Sequence, residues 1–187
     1  MKKIIINITK IIFISLLTSC NQLTQYTINE EEINNYLHKH NRYEKQIGIP
    51  GILDAHIVLK ELHSYIGRSD PGIITLSGNA KVSITSILGL QKVDLRLTMK
   101  TKPFYNQEKG AIFLKDMELI KYSAQPEKLQ VIMNQLMPYL NQSLKYYFNE
   151  KPAYVLKSDK SIVATLTKIA VKSLEVKTGS LVIQFCN

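Results

Sequence analysis

Twelve consecutive residues, 74–85, alternate without a break: Ile74, Leu76, Gly78, Ala80, Val82 and Ile84 against Thr75, Ser77, Asn79, Lys81, Ser83 and Thr85. Successive side chains of a strand point to opposite faces, so this period of two means one dry face and one wet face. One-sided burial belongs to antiparallel sheets, because parallel sheets are covered on both faces. The same alternation recurs at Ala55, Ile57 and Leu59 and at Val93, Leu95, Leu97 and Met99. At Ile112 and Leu114 it continues but shifts phase to Met117 and Leu119, as a bulge at Lys115-Asp116 requires. Strands of this length curl through their twist.

A different period takes over after Gln125. Leu129, Ile132, Met133, Leu136, Leu140, Leu144 and Tyr147 fall on one stripe at about 100° per residue. Gln125-Pro126-Glu127 reads as a helix start, with the proline in the first turn. The spacing therefore predicts a helix over 126–149, roughly 36 Å long at 1.5 Å per residue. Pro138 lies opposite the stripe, where a lost hydrogen bond on the wet side bends the helix toward its packing surface. A long bent helix suits a strongly curved sheet. A shorter helix is expected over 29–40, capped by Asn29 with Glu32 as reciprocal partner and Ile33, Tyr36 and Leu37 inward. Ala153 to Leu156 reads as a short strand and 159–170 as a helix. Leu174–Val176 and Leu181–Ile183 form a hairpin whose turn needs positive φ at Gly179. No repeat or linker marks a second domain, so one α+β domain over 29–187 is expected.

The N-terminus is an address. Lys2, Lys3 and Lys10 precede the apolar run Ile11 to Leu17, and Thr18-Ser19-Cys20 supplies small residues. This is secretory signal architecture, too interrupted for a spanning helix. Leu17-Thr18-Ser19-Cys20 resembles the lipobox of bacterial lipoproteins, which implies cleavage after residue 19, acylation of Cys20 and membrane anchoring through its chains, with 20–28 as a tether. Asn21, rather than Asp, implies by the same resemblance the periplasmic face of the outer membrane. Removing 1–19 takes away three lysines and no acid, so a formal charge of +9 falls to +6. An exported chain with that modest excess is no nucleic-acid binder. Cys186 is then left as a lone thiol, read as a small apolar filler beside Phe185.

Catalytic and metal signatures are missing. G-x-S-x-G, Walker A, the dinucleotide glycine fingerprint, H-E-x-x-H and paired C-x-x-C do not occur. His38 and His40 point to different sides of a helix. Asp54 and His56 share a strand face but have no third ligand at useful spacing. Glu30-Glu31-Glu32 is accounted for by the positive end of a helix. Tyr146, Tyr147 and Phe148 with Tyr154 read as a cluster sealing one end of the core. The expectation is a non-enzyme without metal or cofactor.

Several stretches resemble the YceB-like lipoproteins of enteric bacteria. They are 20–28 (Cys20-Asn21-Gln22-Leu23-Thr24-Gln25-Tyr26-Thr27-Ile28), 54–59 (Asp54-Ala55-His56-Ile57-Val58-Leu59) and 108–115 (from Glu108-Lys109-Gly110 to Leu114-Lys115). Gln125-Pro126-Glu127-Lys128, 138–142 and 148–156 (from Phe148-Asn149-Glu150 to Val155-Leu156) extend the likeness along the mature chain. The resemblance implies a fold similar to tubular lipid-binding modules such as bactericidal permeability-increasing protein, in which a curved antiparallel sheet wraps a long helix. It carries over no catalytic residue and only Cys20 as a functional position. From the residues themselves, two apolar surfaces are candidates for holding a phospholipid or fatty-acid chain. One is Val82, Ile84, Leu95 and Leu97 on the strands; the other is Leu129, Ile132, Met133, Leu136 and Leu140 on the helix. Met133 supplies an adaptable wall, and Gly78 and Ala80 leave space beside the helix. The competing expectation is a filled core and an envelope protein partner, engaged through an exposed edge strand or the polar helix face.

Overall fold

The computed structural model describes residues 25–87, 89–156 and 170–186. The signal segment, Cys20 and the helix expected over 159–170, save Ala170 at its end, lie outside the described residues. Nine strands and two helices are described: β1 (Gln25–Asn29), α1 (Glu30–His40), β2 (Glu44–Ile49), β3 (Leu53–Ile66), β4 (Ile74–Ser86), β5 (Gly89–Asn106), β6 (Ala111–Gln125), α2 (Gln130–Glu150), β7 (Tyr154–Val155), β8 (Val171–Lys177) and β9 (Ser180–Phe185). The architecture is α+β, mostly antiparallel sheet. Strands β2 to β7 form a six-stranded meander in chain order, and β1, β9 and β8 form a second sheet of three.

The alternating segments lie where one-sided burial puts them. On β4, Ile74, Leu76, Ala80, Val82 and Ile84 are buried. The bulge falls as the phase shift demands: Lys102 faces Lys115 and Lys100 faces Glu118, with Asp116 held at φ 51° between them. The cap of α1 also matches, with the Asn29 N–H donating to Glu32 Oε2 at 3.0 Å. Gly179 has φ 75° in the β8–β9 turn.

Three boundaries differ from the sequence expectation. The tether is shorter than 20–28, because Gln25 to Asn29 pair with Ser180 to Gln184 and Ile28 is fully buried. Two inward residues, Tyr26 and Ile28, are too few to register as a period. Strand β3 runs on from Lys60 to Ile66: a bulge between Leu59 and Glu61 exposes Lys60 and Glu61 in succession and hides the continuing alternation. Pro126 stands just outside the helix with an extended backbone, before a single 3₁₀ turn at Glu127–Leu129, and the Gln125-Pro126 peptide is cis.

One core cluster spans both sheets and both helices, from Ile28 to Phe185. Buried Thr101 and Ser64 are satisfied: Thr101 Oγ1 donates to Lys115 O at 2.6 Å and Ser64 Oγ to Asn34 Oδ1 at 2.7 Å. The sheets meet at Gly67, where the φ is +58° and a Cβ would lie 3.0 Å from Lys177 O. Gly179 N donates to Ile66 O across the same joint.

Candidate functional site

Helix α2 packs against β6 and also against β2. Its stripe is continuous with the inward face of the sheet. Met133, Leu136, Leu140 and Leu144 are wholly buried, Leu129 is buried in the preceding turn, and Ile132 is half-buried against the same cluster. Val82 and Ile84 on β4 and Leu95 and Leu97 on β5 are buried in that cluster too. The nine residues singled out in the sequence thus belong to one apolar interior. Met137 and Phe148 widen the stripe beyond what was expected. Methionines 99, 117, 133 and 137 all lie in the cluster, giving it an unusual share of flexible side chains.

The space at Gly78 is already taken. A Cβ there would meet Leu59 Cδ1 at 3.0 Å, Glu61 O at 3.1 Å and Leu62 Cδ1 at 3.4 Å. The β3 bulge pushes those leucines over the glycine, so the small residue admits its neighbouring strand and opens no room for a ligand.

The two flanks of α2 are built differently. Along β6, beyond the short pairing with β7, the strand's outward N–H groups are taken by amide side chains of the helix. Leu119 N donates to Asn141 Oδ1 and Ala124 N to Gln130 Oε1, both at 2.9 Å. Tyr122 Oη donates to Asn134 Oδ1 at 2.6 Å. On the β2 flank, the hydrogen bonds to the helix come from the two residues just before the strand. Buried Tyr43 donates from Oη to Ser143 Oγ at 3.0 Å, Arg42 N donates to Tyr147 Oη at 2.9 Å, and Tyr43 and Tyr147 meet edge to face. Burial pushes the Tyr43 phenol up. Beyond them opens a cleft of about 650 Å³, whose lining includes Lys45, Ile47, Tyr139, Tyr146 and Tyr147. Ile47 and Tyr147 pack on the core cluster, so the cleft adjoins the apolar interior.

The remaining candidates resolve locally. His56 Nε2 lies 2.8 Å from Glu44 Oε1 rather than working with Asp54, which is hydrogen-bonded by Gln46. No group of three potential metal ligands occurs among the described residues. Cys186 is exposed, not a core filler: its N–H pairs with Ala170 O at 2.8 Å, past the end of β9. In the aromatic cluster Phe148 and Tyr154 are buried and Tyr147 half-buried, while Tyr146 faces outward at the cleft. No described helix is long and apolar enough to cross a membrane.

Comparison with known proteins follows this geometry. The model of the family described as "Protein of unknown function (DUF1439)" matches residues 28–180. The protein named uncharacterized lipoprotein YceB of Escherichia coli K12 is 52% identical over 170 residues, covering 91% of each chain. The protein of the same name from Salmonella typhimurium LT2 is 51% identical over 172 residues, covering 92% of each. Among solved structures, a crystal structure of lipopolysaccharide binding protein aligns at a TM-score of 0.37 and 10% identity, covering 86% of this chain and 40% of that one. A family match across most of the chain and majority identity to those relatives over nine tenths of its length agree: this chain belongs to the DUF1439 family.

Proposed function

We propose that this protein is a lipid-anchored envelope protein that takes a phospholipid, fatty acid or other hydrophobic ligand between the large sheet and α2. The observation that carries the reading is the open flank of α2, where a 650 Å³ cleft adjoins a methionine-rich apolar interior. The sheet curls about the helix. Strands β2 and β6 are four places apart in the sheet order, so a flat sheet would separate them by about 19 Å at roughly 4.8 Å per strand. Both touch a helix only about 10 Å across. Separating the β2 flank breaks few polar contacts, and an entering acyl chain regains about 0.8 kcal/mol per buried CH₂.

The domain starting at residue 21, prepared without detergent, is expected to carry lipid in native mass spectrometry. Met133→Phe, which adds bulk in the interior, removes that lipid while circular dichroism keeps its sheet and helix signature. A preparation that is lipid-free and takes up no fluorescent fatty acid defeats the reading.

Anchoring rests on Cys20 and on relatives named lipoproteins. Radioactive palmitate labelling of the chain, lost in Cys20→Ser, tests it, and density-gradient fractionation tests the periplasmic face of the outer membrane as its site. A second reading is favoured by the outer edge of β2, which pairs with no strand among the described residues. An extended segment of an envelope partner can add to that edge. Crosslinking from Lys45 in cells distinguishes the two, because a lipid carrier needs no recurrent protein adduct.

A further inference from the structure

Two neighbouring hairpin tips of the large sheet are apolar where such turns are ordinarily built from Asn, Asp and Gly. The β2–β3 tip reads Ile49-Pro50-Gly51-Ile52 and the β4–β5 tip opens with Ile87 and closes on Gly89-Leu90. The ladder between β3 and β4 ends with Leu53 opposite Ser86, so Ile52 and Ile87 are next in line on adjacent strands. Leu90 faces Thr85 on the following strand. Ile87 is 95% exposed, Leu90 65% and Ile52 60%. Single exposed aliphatics are ordinary on any surface. Three on two neighbouring tips make a patch.

The sequence around the tips is also bare of charge. Residues 46–53 and 82–91 contain no Asp, Glu, Lys or Arg, although 21% of the chain is charged and about four would be expected over that span. Charge resumes with Lys45 and Lys92, and with Asp54, whose carboxylate is hydrogen-bonded by Gln46. A protein partner is met by an apolar centre with a polar, charged rim close by. An end without charge for several residues, then lysines set back along the strands, suits the interface of a bilayer, where lysine stems reach to the headgroups.

From this we infer that the paired tips insert into a lipid bilayer, with Ile52, Ile87 and Leu90 in the acyl region. Anchoring at Cys20, a part of the proposed function on which this point leans, keeps Gln25 within about 18 Å of a membrane. The tips lie at the end of β3 away from Gly67, where β1 joins, roughly 43 Å along the strand at about 3.3 Å per residue. They therefore meet the anchoring membrane when the sheet lies along it and a facing membrane when the sheet stands upright. The interior ligand site is not required.

The chain has no tryptophan, so Ile87→Trp introduces a single reporter. The full-length protein with this change is placed in vesicles of phosphatidylethanolamine and phosphatidylglycerol, with brominated acyl chains either in the host vesicles or in vesicles added afterwards. A blue-shifted emission quenched in either arm supports insertion, and the arm that quenches shows which membrane is engaged. Val131→Trp, on the exposed side of α2 and outside the cleft lining, serves as the unquenched control. Emission of an aqueous tryptophan without quenching in both arms overturns the inference. A blue shift that needs no vesicles and grows with protein concentration also overturns it, assigning the tips to a second copy. Should the protein fail to stay with its host vesicles, anchoring fails, and the added-vesicle arm still decides the tips.

Discussion

Helix α2 is held on one side and nearly free on the other. On the β6 side the helix substitutes for a missing strand: Asn141 and Gln130 accept the N–H groups of Leu119 and Ala124 that a neighbouring strand would have taken. On the β2 side the same helix leaves a cleft and accepts hydrogen bonds from Arg42 and Tyr43, just before the strand. Helix α1 repeats the closed arrangement at the upper half of β3, beyond the reach of β2. There Asn34 accepts from Ser64 N at 2.7 Å and donates to Ser64 O at 3.2 Å, and Glu30 accepts from Ile66 N at 2.7 Å. An unpaired edge is a template for pairing with another chain, and covering it is one defence. This fold spends amide side chains on two edges and leaves the β2 edge accessible. The difference is what the proposed ligand entry at β2 rests on.

The most severe way to break the comparison is to charge the centre of the helix stripe. Leu136→Asp buries an unpaired carboxylate where the helix meets the core, with an expected loss of about 4 kcal/mol or more. Urea unfolding monitored by circular dichroism checks it. Asn34→Ala should come next, at about 3 kcal/mol, because buried Ser64 loses the partner of its N–H, its carbonyl and its hydroxyl together. Asn141→Ala orphans a single N–H, at Leu119, and is expected to cost about 1–2 kcal/mol in the same assay. Amide hydrogen exchange at Leu119 should quicken in that variant while β2 exchanges as before.

Acid reports on the α1 edge. Hydrogen bonds from Arg68, at 2.8 and 3.1 Å, hold the Glu30 carboxyl below the usual glutamate range, with the N–H of Ile66 adding to them and partial burial opposing. With a depressed value in the fold, the stabilisation is fully present above the unfolded carboxyl value near 4.3. It is lost as pH falls from there through the folded value. Stability measured from pH 5 to pH 2 should therefore fall less steeply in Glu30→Gln than in the natural chain. The smallest effect belongs to the open flank. Tyr146→Ala should shift stability by no more than about 0.5 kcal/mol, since the ring already faces outward. A loss comparable to that of Asn141→Ala would show that the β2 flank is closed after all.

What could be read from the sequence was whatever a period or a cap writes locally. The alternation of β4, the stripe of α2, the Asn29–Glu32 cap, the bulge beside Asp116 and the Gly179 turn all belong to that kind. The stitches along the edges are pairs such as Asn141 with Leu119 or Asn34 with Ser64, far apart in the chain and ordinary in composition. No local pattern announces them. The β3 bulge erased its own signal by exposing Lys60 and Glu61 together. For the nine residues of the apolar interior, periodicity reports burial, and burial by side chains writes the same pattern as burial against a ligand. Their placement in one cluster follows from the sequence. The open flank that gives them a functional reading does not, because it arises where β2 parts from α2.

The pairing of β1 with β9 has a consequence for how such a chain comes into being. Among the described strands, β1 pairs with residues 180–184, the last strand in chain order. A chain that emerges vectorially, from a ribosome or through a translocation pore, presents β1 first and β9 last. The meander from β2 to β7 can zip in order as it appears, each strand meeting the one before it. The three-stranded sheet must wait for β9, and Ile28 stays without its final packing until then. The order of emergence is thus written into the native state: the first described strand is held open until the last one has arrived.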